Sequence, residues 1–214
     1  MIVRELLQAI GVSLKTSGLA ALVASLLAVP AALFLSGRDF RGKRAVLLVN
    51  QTWMAAPTVV IGLLFYFLLS RSGPLGRFGL LYTQAAMTIG QVFLILPLIT
   101  GFSYTALRQV DRRARLTALT LGASRRQAGW VVLREAKFAL LVAVLAGFAR
   151  AVSEVGIAMM LGGNIRHATR NITTAIALET AKGEYTNGVV LGAILLAVTL
   201  GINVLVQVGL RSKE

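Results

Sequence analysis

Two charges stand where a bilayer-spanning segment would normally carry none. Arg150 and Glu154 lie four residues apart in the otherwise apolar run Phe138–Met160, so a helix puts them on one face. Lys137 marks one end of that run, and Arg150 sits about 20 Å further along a helix rising 1.5 Å per residue. An ion at such depth costs several kcal/mol unless it is paired or faces a cavity. Two chemistries fit the spacing. Arg150 and Glu154 form a self-neutralising pair that fixes packing, or Arg150 lines an anion pathway with Ser153 and Glu154 beside it. In the second case Glu154 would repel the anion that Arg150 attracts. The remaining inventory excludes much else. There is no cysteine and one histidine, His167, which removes thiol nucleophiles and multi-histidine metal sites. No GxxxxGK[ST] loop is present, so the chain carries no ATP site of its own. No catalytic or cofactor-binding set emerges.

A second stretch, "LTALTLGASRRQAGWVVLREA" from Leu116 to Ala136, is polar and basic. Gly122 suits the left-handed position after a helix. Ser124 followed three residues later by Gln127 is a capping box that starts a new helix. The pattern predicts a helix, a sharp turn and a helix, with Gly122-Ala123-Ser124 exposed at the tip. Such a tip suits docking of a protein partner; the bland alternative is contact of its arginines with lipid headgroups. A nucleic-acid helix–turn–helix does not fit, because short helices tethered to spans on both sides leave no free face for a groove.

A third stretch follows the charged pair. Asn164, Arg166 and Arg170 precede Asn171, a good N-cap for a helix over Ile172–Lys182 that Gly183 would end. Thr173 and Thr174 fall in its first turn. The amides there, with the two arginines, could face an anion; the other reading is a surface loop with scattered arginines.

The elements that must position these residues are membrane spans. The chain is 57% hydrophobic and 14% charged, against about 25% charged in an ordinary soluble domain. Apolar stretches of about 20 residues bounded by charges predict five transmembrane helices, at about 14–36, 45–70, 80–107, 138–160 and 187–210. They form a single all-α, polytopic membrane domain over 1–214, with a coupling segment at 108–137 and an external segment at 161–187. The first run is expected to be retained as a span rather than cleaved as a signal peptide, and Ile2–Val12 to form a short interfacial helix before it. Fourteen basic residues fall on the side of Gly37–Arg44, Arg108–Lys137 and the C-terminal tail. Seven fall on the other side, and Arg150 completes the 22. The first side is then the cytoplasm, and the N-terminus lies outside. Pro30, Pro57 and Pro97 fall within spans, where a missing N–H can break a helix along a transport path. Met54, Pro57 and Thr58 are the gate candidates. The small-residue spacings Gly188-x3-Gly192 and Ala143-x3-Gly147-x3-Ala151 permit close helix packing.

On these residues a family resemblance rests. "LTALTLGASRRQAGW" resembles the signature of ABC importer permeases, with Ala118, Leu121, Gly122 and Ala123 at matching positions. Leu116 stands where the family has glutamate, Thr117 where it has its first alanine, and the usual Leu-Pro ending is absent. "RSGPLGRFG" and the long run from "VLREAKFALL" to "TTAIALETAKGEY" resemble the oxyanion branch, which handles molybdate, sulfate and tungstate. "SEVG…MMLGGNI" is most similar to the tungstate type. The resemblance implies a type I permease architecture in a prokaryotic inner membrane, and a homodimer with one pathway on the two-fold axis. It implies two ABC ATPase subunits, each gripping a knob made of Ala118, Leu121, Gly122, Ala123, Ser124 and Arg125. ATP and Mg would be bound by those subunits and by nothing in this chain. An extracytoplasmic oxyanion-binding protein would deliver the anion near Asn164, Arg166, Arg170, Thr173 and Thr174. Nucleic acid has no place in this scheme. The alternatives are a molybdate or sulfate permease of the same family, or a self-sufficient anion channel or secondary transporter.

Overall fold

The computed structural model describes residues 3–211. Among the described residues the regular elements are helical throughout. In chain order they are α1 (Val3–Gly37), α2 (Lys43–Met54), α3 (Thr58–Leu69), a 3-10 turn at Gly76–Phe78, α4 (Gln84–Gln109), α5 (Arg112–Thr120), α6 (Arg125–Glu135), α7 (Lys137–Val152), α8 (Gly156–Gly162), α9 (Ile172–Ala181) and α10 (Tyr185–Arg211). Among the described residues, three helices are long and apolar enough to cross a bilayer: Arg4–Gly37, Gln84–Gln109 and Tyr185–Val204. The pairs α2/α3 and α7/α8 raise the number to five if each counts as one broken span.

Two local outcomes differ from the sequence-based expectation. Of the interfacial helix expected over Ile2–Val12, Ile2 lies outside the described residues, and Val3–Val12 is not a separate helix but the first part of an unbroken α1. No proline or left-handed residue interrupts that region. The Thr16 hydroxyl donates to the Val12 carbonyl at 2.9 Å along the helix instead of opening it. The fourth span is also not continuous, since it stops at Val152 and restarts at Gly156. Pro30, Pro57 and Pro97 carried the same expectation, and only Pro57 breaks its helix; Pro30 and Pro97 lie inside α1 and α4. Pro57 has extended backbone angles of φ −61°, ψ 127° and lacks an N–H, so α2 ends before it and α3 starts after it.

The chain divides into two compact units. The first comprises Met1–Ala20, Ala56–Leu94 and Phe148–Glu214, the second Ala21–Ala55 and Ile95–Gly147. In the first unit Met87, Ile157, Leu161 and Ile172 are fully buried. The α9 and α10 helices pack closely, with Gly188 against the Thr180 hydroxyl. In the second unit Ala32 of α1, Leu107 of α4, Val132 and Ala136 next to one another on α6 and its C-cap, and Leu140 of α7 make a buried cluster. Asn50 of α2 donates its amide to the Pro97 carbonyl of α4 at 3.0 Å.

The expected small-residue stripe of α7 is used within the chain. Ala143 is buried, and a Cβ on Gly147 would lie 2.5 Å from Ile99 Cγ1 and 2.6 Å from its Cδ1. Ile99 is itself fully buried in α4 and has no room to withdraw. Gly147→Leu is therefore expected to destabilise the chain by about 1–3 kcal/mol through overpacking. A lowered thermal midpoint in detergent checks this, and an unchanged midpoint contradicts it.

Candidate functional site

The polar segment of the second unit folds as its sequence dictates. The Asp111 carboxylate caps α5 by accepting the Arg113 N–H at 2.8 Å. At the other end the Ala123 N–H donates to the Ala118 carbonyl at 3.0 Å and the Gly122 N–H to the Leu119 carbonyl at 3.1 Å. With Gly122 at φ +84° this is a Schellman stop, which satisfies carbonyls a helix end would otherwise leave open. Ser124 then caps α6: its hydroxyl accepts the Gln127 N–H at 3.3 Å, and Gln127 Oε1 accepts the Ser124 N–H at 2.7 Å. A turn closed on both sides holds its tip rigidly. The tip presents Leu121, 82% exposed, with Trp130, 64% exposed, beside it. Leu121, Gly122, Ala123, Arg126, Gln127 and Trp130 line a shallow concavity of about 640 Å³. Ala118, Leu121, Gly122, Ala123, Ser124 and Arg125 thus come together at one apex.

The charged pair of the first unit sits at the α7/α8 break. Arg150 Nη1 donates to Glu154 Oε2 at 2.7 Å, and Glu154 Oε1 accepts the Ile157 N–H of α8 at 3.3 Å. The Glu154 side chain is 4% exposed and that of Arg150 36%. A buried carboxylate therefore caps the first turn of α8 while neutralising an arginine one turn back. Its own backbone carbonyl accepts from the Thr173 hydroxyl of α9 at 2.9 Å. Ser153 is exposed, and its hydroxyl returns to the Arg150 carbonyl. Gln91 of α4, fully buried, donates to the Ala151 carbonyl at 3.2 Å, which also accepts the Glu154 N–H at 3.3 Å. Gln91 was not singled out from the sequence. An amide in an otherwise apolar span is the signal that could have found it.

Glycine 156 marks a close approach: a Cβ there would stand 3.2 Å from Glu154 Oε1 and 3.4 Å from the Thr58 hydroxyl. Thr58, Arg150, Glu154 and Thr173 are accordingly one neighbourhood. Pro57 precedes Thr58 and opens α3, its carbonyl accepting from the Val60 and Ile61 N–H groups. Met54 closes α2 in the other unit, where its sulfur lies against Gly101.

The loop before α9 is tied down by its own side chains. Asn164, at φ +50°, accepts the Arg170 Nε at 3.1 Å through its side chain. Arg166 pairs with Glu5 of α1, and His167 Nδ1 lies 2.6 Å from Gln8 Oε1. Asn171 caps α9 with Thr174 in a reciprocal box, as its position predicted, and Ser13 of α1 accepts the Ile172 N–H at 3.0 Å. Asn171, Thr173 and Thr174 are buried. Of the first three N–H groups of α9, those of Ile172 and Thr174 are thus engaged within the protein. Arg166 remains exposed.

Long apolar helices, two bent helix pairs and a doubly capped polar turn among them fit an integral membrane protein. The chain belongs to the family of binding-protein-dependent transport system inner membrane components, whose sequence profile matches residues 24–211. It is the permease type of subunit in an ABC importer. A probable anion ABC transporter permease protein of Haloferax volcanii is 42% identical over 91% of this chain and 86% of its own length. The tungstate uptake system permease protein TupB of Peptoclostridium acidaminophilum is 38% identical over 91% and 85%. The molybdenum transport system permease protein ModB of Azotobacter vinelandii is 28% identical over 85% and 86%. A crystal structure of an amino acid ABC transporter with histidines superposes with a TM-score of 0.69 over 98% of this chain and 94% of that one, at 16% identity. That likeness concerns the fold, and it agrees with the expected type I architecture.

Proposed function

We propose that this chain is the permease through which an ATP-driven importer moves tungstate, received from an extracytoplasmic binding protein. Its N-terminus lies outside the cell, and the α5–α6 turn faces the cytoplasm. Two copies form the pathway, and each offers its turn to one ATPase subunit, which binds the ATP and Mg. ATP draws the ATPase subunits together, the two turns follow, and the bundle switches between two packed states, the usual form of alternating access. The observation that carries the docking part is the rigid apex itself. A leucine 82% exposed at the tip of a doubly capped turn is an apolar contact held ready for a protein groove. The oxyanion part is supported by the likeness to an anion permease and to tungstate uptake permeases. The basic excess on the α5–α6 side supports the orientation.

The test is ATP hydrolysis by the reconstituted complex of permease, ATPase and binding protein, with tungstate, molybdate or sulfate added. Tungstate is expected to stimulate at the lowest concentration. A preference for molybdate or sulfate would reassign the substrate within the oxyanions. Anion flux through this chain alone in liposomes, with no ATPase present, would overturn the reading.

A further inference from the structure

The last turn of α1 has no basic residue of its own. A helix C-terminus is the negative end of its dipole and leaves carbonyls without partners. Two cations from outside the helix meet this end: Lys43 Nζ donates to the Arg38 carbonyl at 3.0 Å, and α5 brings the second. Arg115 Nη1 donates to the Gly37 carbonyl at 3.1 Å, a contact between residues 78 apart in sequence. The guanidinium lies over the Gly37 α-carbon: a Cβ built there would be 3.5 Å from Nη1, 3.7 Å from Nη2 and 3.8 Å from Cζ. Those are ordinary contact distances, so a small side chain at position 37 leaves the guanidinium in place. Arg115 stands seven residues before Gly122, about 10 Å along a helix. The second arm of the turn lands on the same helix. Ala128 of α6 is fully buried, and a Cβ on Gly129 would meet Leu33 Cδ2 at 3.6 Å. Leu33 and Val29 of α1 pack on the cluster around Val132 and Ala136. Both helices that hold the apex therefore grip the C-terminal end of α1, α6 through apolar packing and α5 through one directional, charged contact.

We propose that Arg115 is the positioning residue that passes displacement of the Gly122 turn into α1. Packing resists compression but slides; a charge-assisted hydrogen bond to a helix-terminal carbonyl transmits pull as well as push. Lysine at this position would keep the charge but lose the planar fork. The assignment rests on the reading of the turn as an ATPase-docking element, and the experiment separates the two. In the reconstituted complex, Arg115→Ala is expected to co-purify with the ATPase as the wild type does and to keep basal ATP hydrolysis. Stimulation by tungstate-loaded binding protein should fall at least tenfold, and Arg115→Lys should recover part of it. Because the chain has no cysteine, Gly37→Cys and Arg115→Cys can be combined and joined by a short bifunctional methanethiosulfonate linker. The linked form should regain stimulation and lose it on reduction, which a merely structural role would not produce; each single-cysteine variant serves as control. Full stimulation in Arg115→Ala, or no rescue by the linker, overturns the assignment. Loss of co-purification in Arg115→Ala overturns it too, since Arg115 would then be a docking contact. Absence of stimulation in the wild-type complex would instead count against the proposed function.

Discussion

Uptake is expected to fall to background when Gly122 is replaced by arginine, while the membrane helices stay folded. Gly122 holds φ +84°, which costs an L-residue roughly 1–2 kcal/mol. That cost is borne locally, because a Cβ at this position meets no atom within 4 Å and disturbs no core. The functional effect is far larger. A long cation would stand at the apex between Leu121 and Ala123, in the concavity that Trp130 helps to line. An ATPase groove shaped for a small apolar tip cannot accept it. Gly122→Asn is the informative control, since asparagine tolerates the left-handed region and adds little bulk; it should retain most uptake. Tungsten accumulation in cells and co-elution of the ATPase measure the outcome, with the thermal midpoint reporting folding. Normal uptake by Gly122→Arg would remove the turn from the coupling route.

The second large effect concerns stability. Glu154→Ala is expected to destabilise the chain by about 1–3 kcal/mol, the cost of leaving polar groups at the break without their charged acceptor, because Arg150, 36% exposed, is not left as a buried charge. Three losses coincide. Arg150 Nη1 loses its anion, the Ile157 N–H loses its acceptor, and the turn joining α7 to α8 loses the group that closes it. Glu154→Gln keeps an acceptor for Ile157 and should sit between the two. The pair Arg150→Met with Glu154→Gln should be less harmful than Glu154→Ala, because no uncompensated charge remains, and a double-mutant cycle extracts the coupling. Thermal midpoints in detergent give the ordering. If Glu154→Ala melts like the wild type, the carboxylate is not the cap that the geometry makes it.

Much of this architecture is written in patterns a reader can follow. The Gly122 stop and the Ser124 and Asn171 caps each depend on residues within one or two turns. Local chemistry decides them, so a single sequence discloses them. The continuous start of α1 and the gap between Val152 and Gly156 were not legible. The first has no local breaker to find. The second has no proline and is made by Glu154 reaching forward to Ile157, supported by Thr173 and Gln91 from helices far along the chain. The candidate site divides the same way. The helix–turn–helix that carries Ala118 to Arg125 was legible from the Gly122 stop and the Ser124 capping box. Arg150 and Glu154 were found by depth and spacing, but their use as a helix cap was not. The Arg115 contact with Gly37 was invisible, because an arginine in a basic loop looks like a topology signal until its partner is seen.

The exposed apex also bears on how such a subunit is made. Leucine and tryptophan side chains open to water are what chaperones and quality-control proteases recognise in an unfinished protein. Leu121 and Trp130 are in that condition whenever no partner covers them. The surface proposed for coupling would therefore also be a mark of orphanhood before assembly. The cellular lifetime of this chain should then follow the supply of its partner, which would keep the stoichiometry of the complex without a separate regulator.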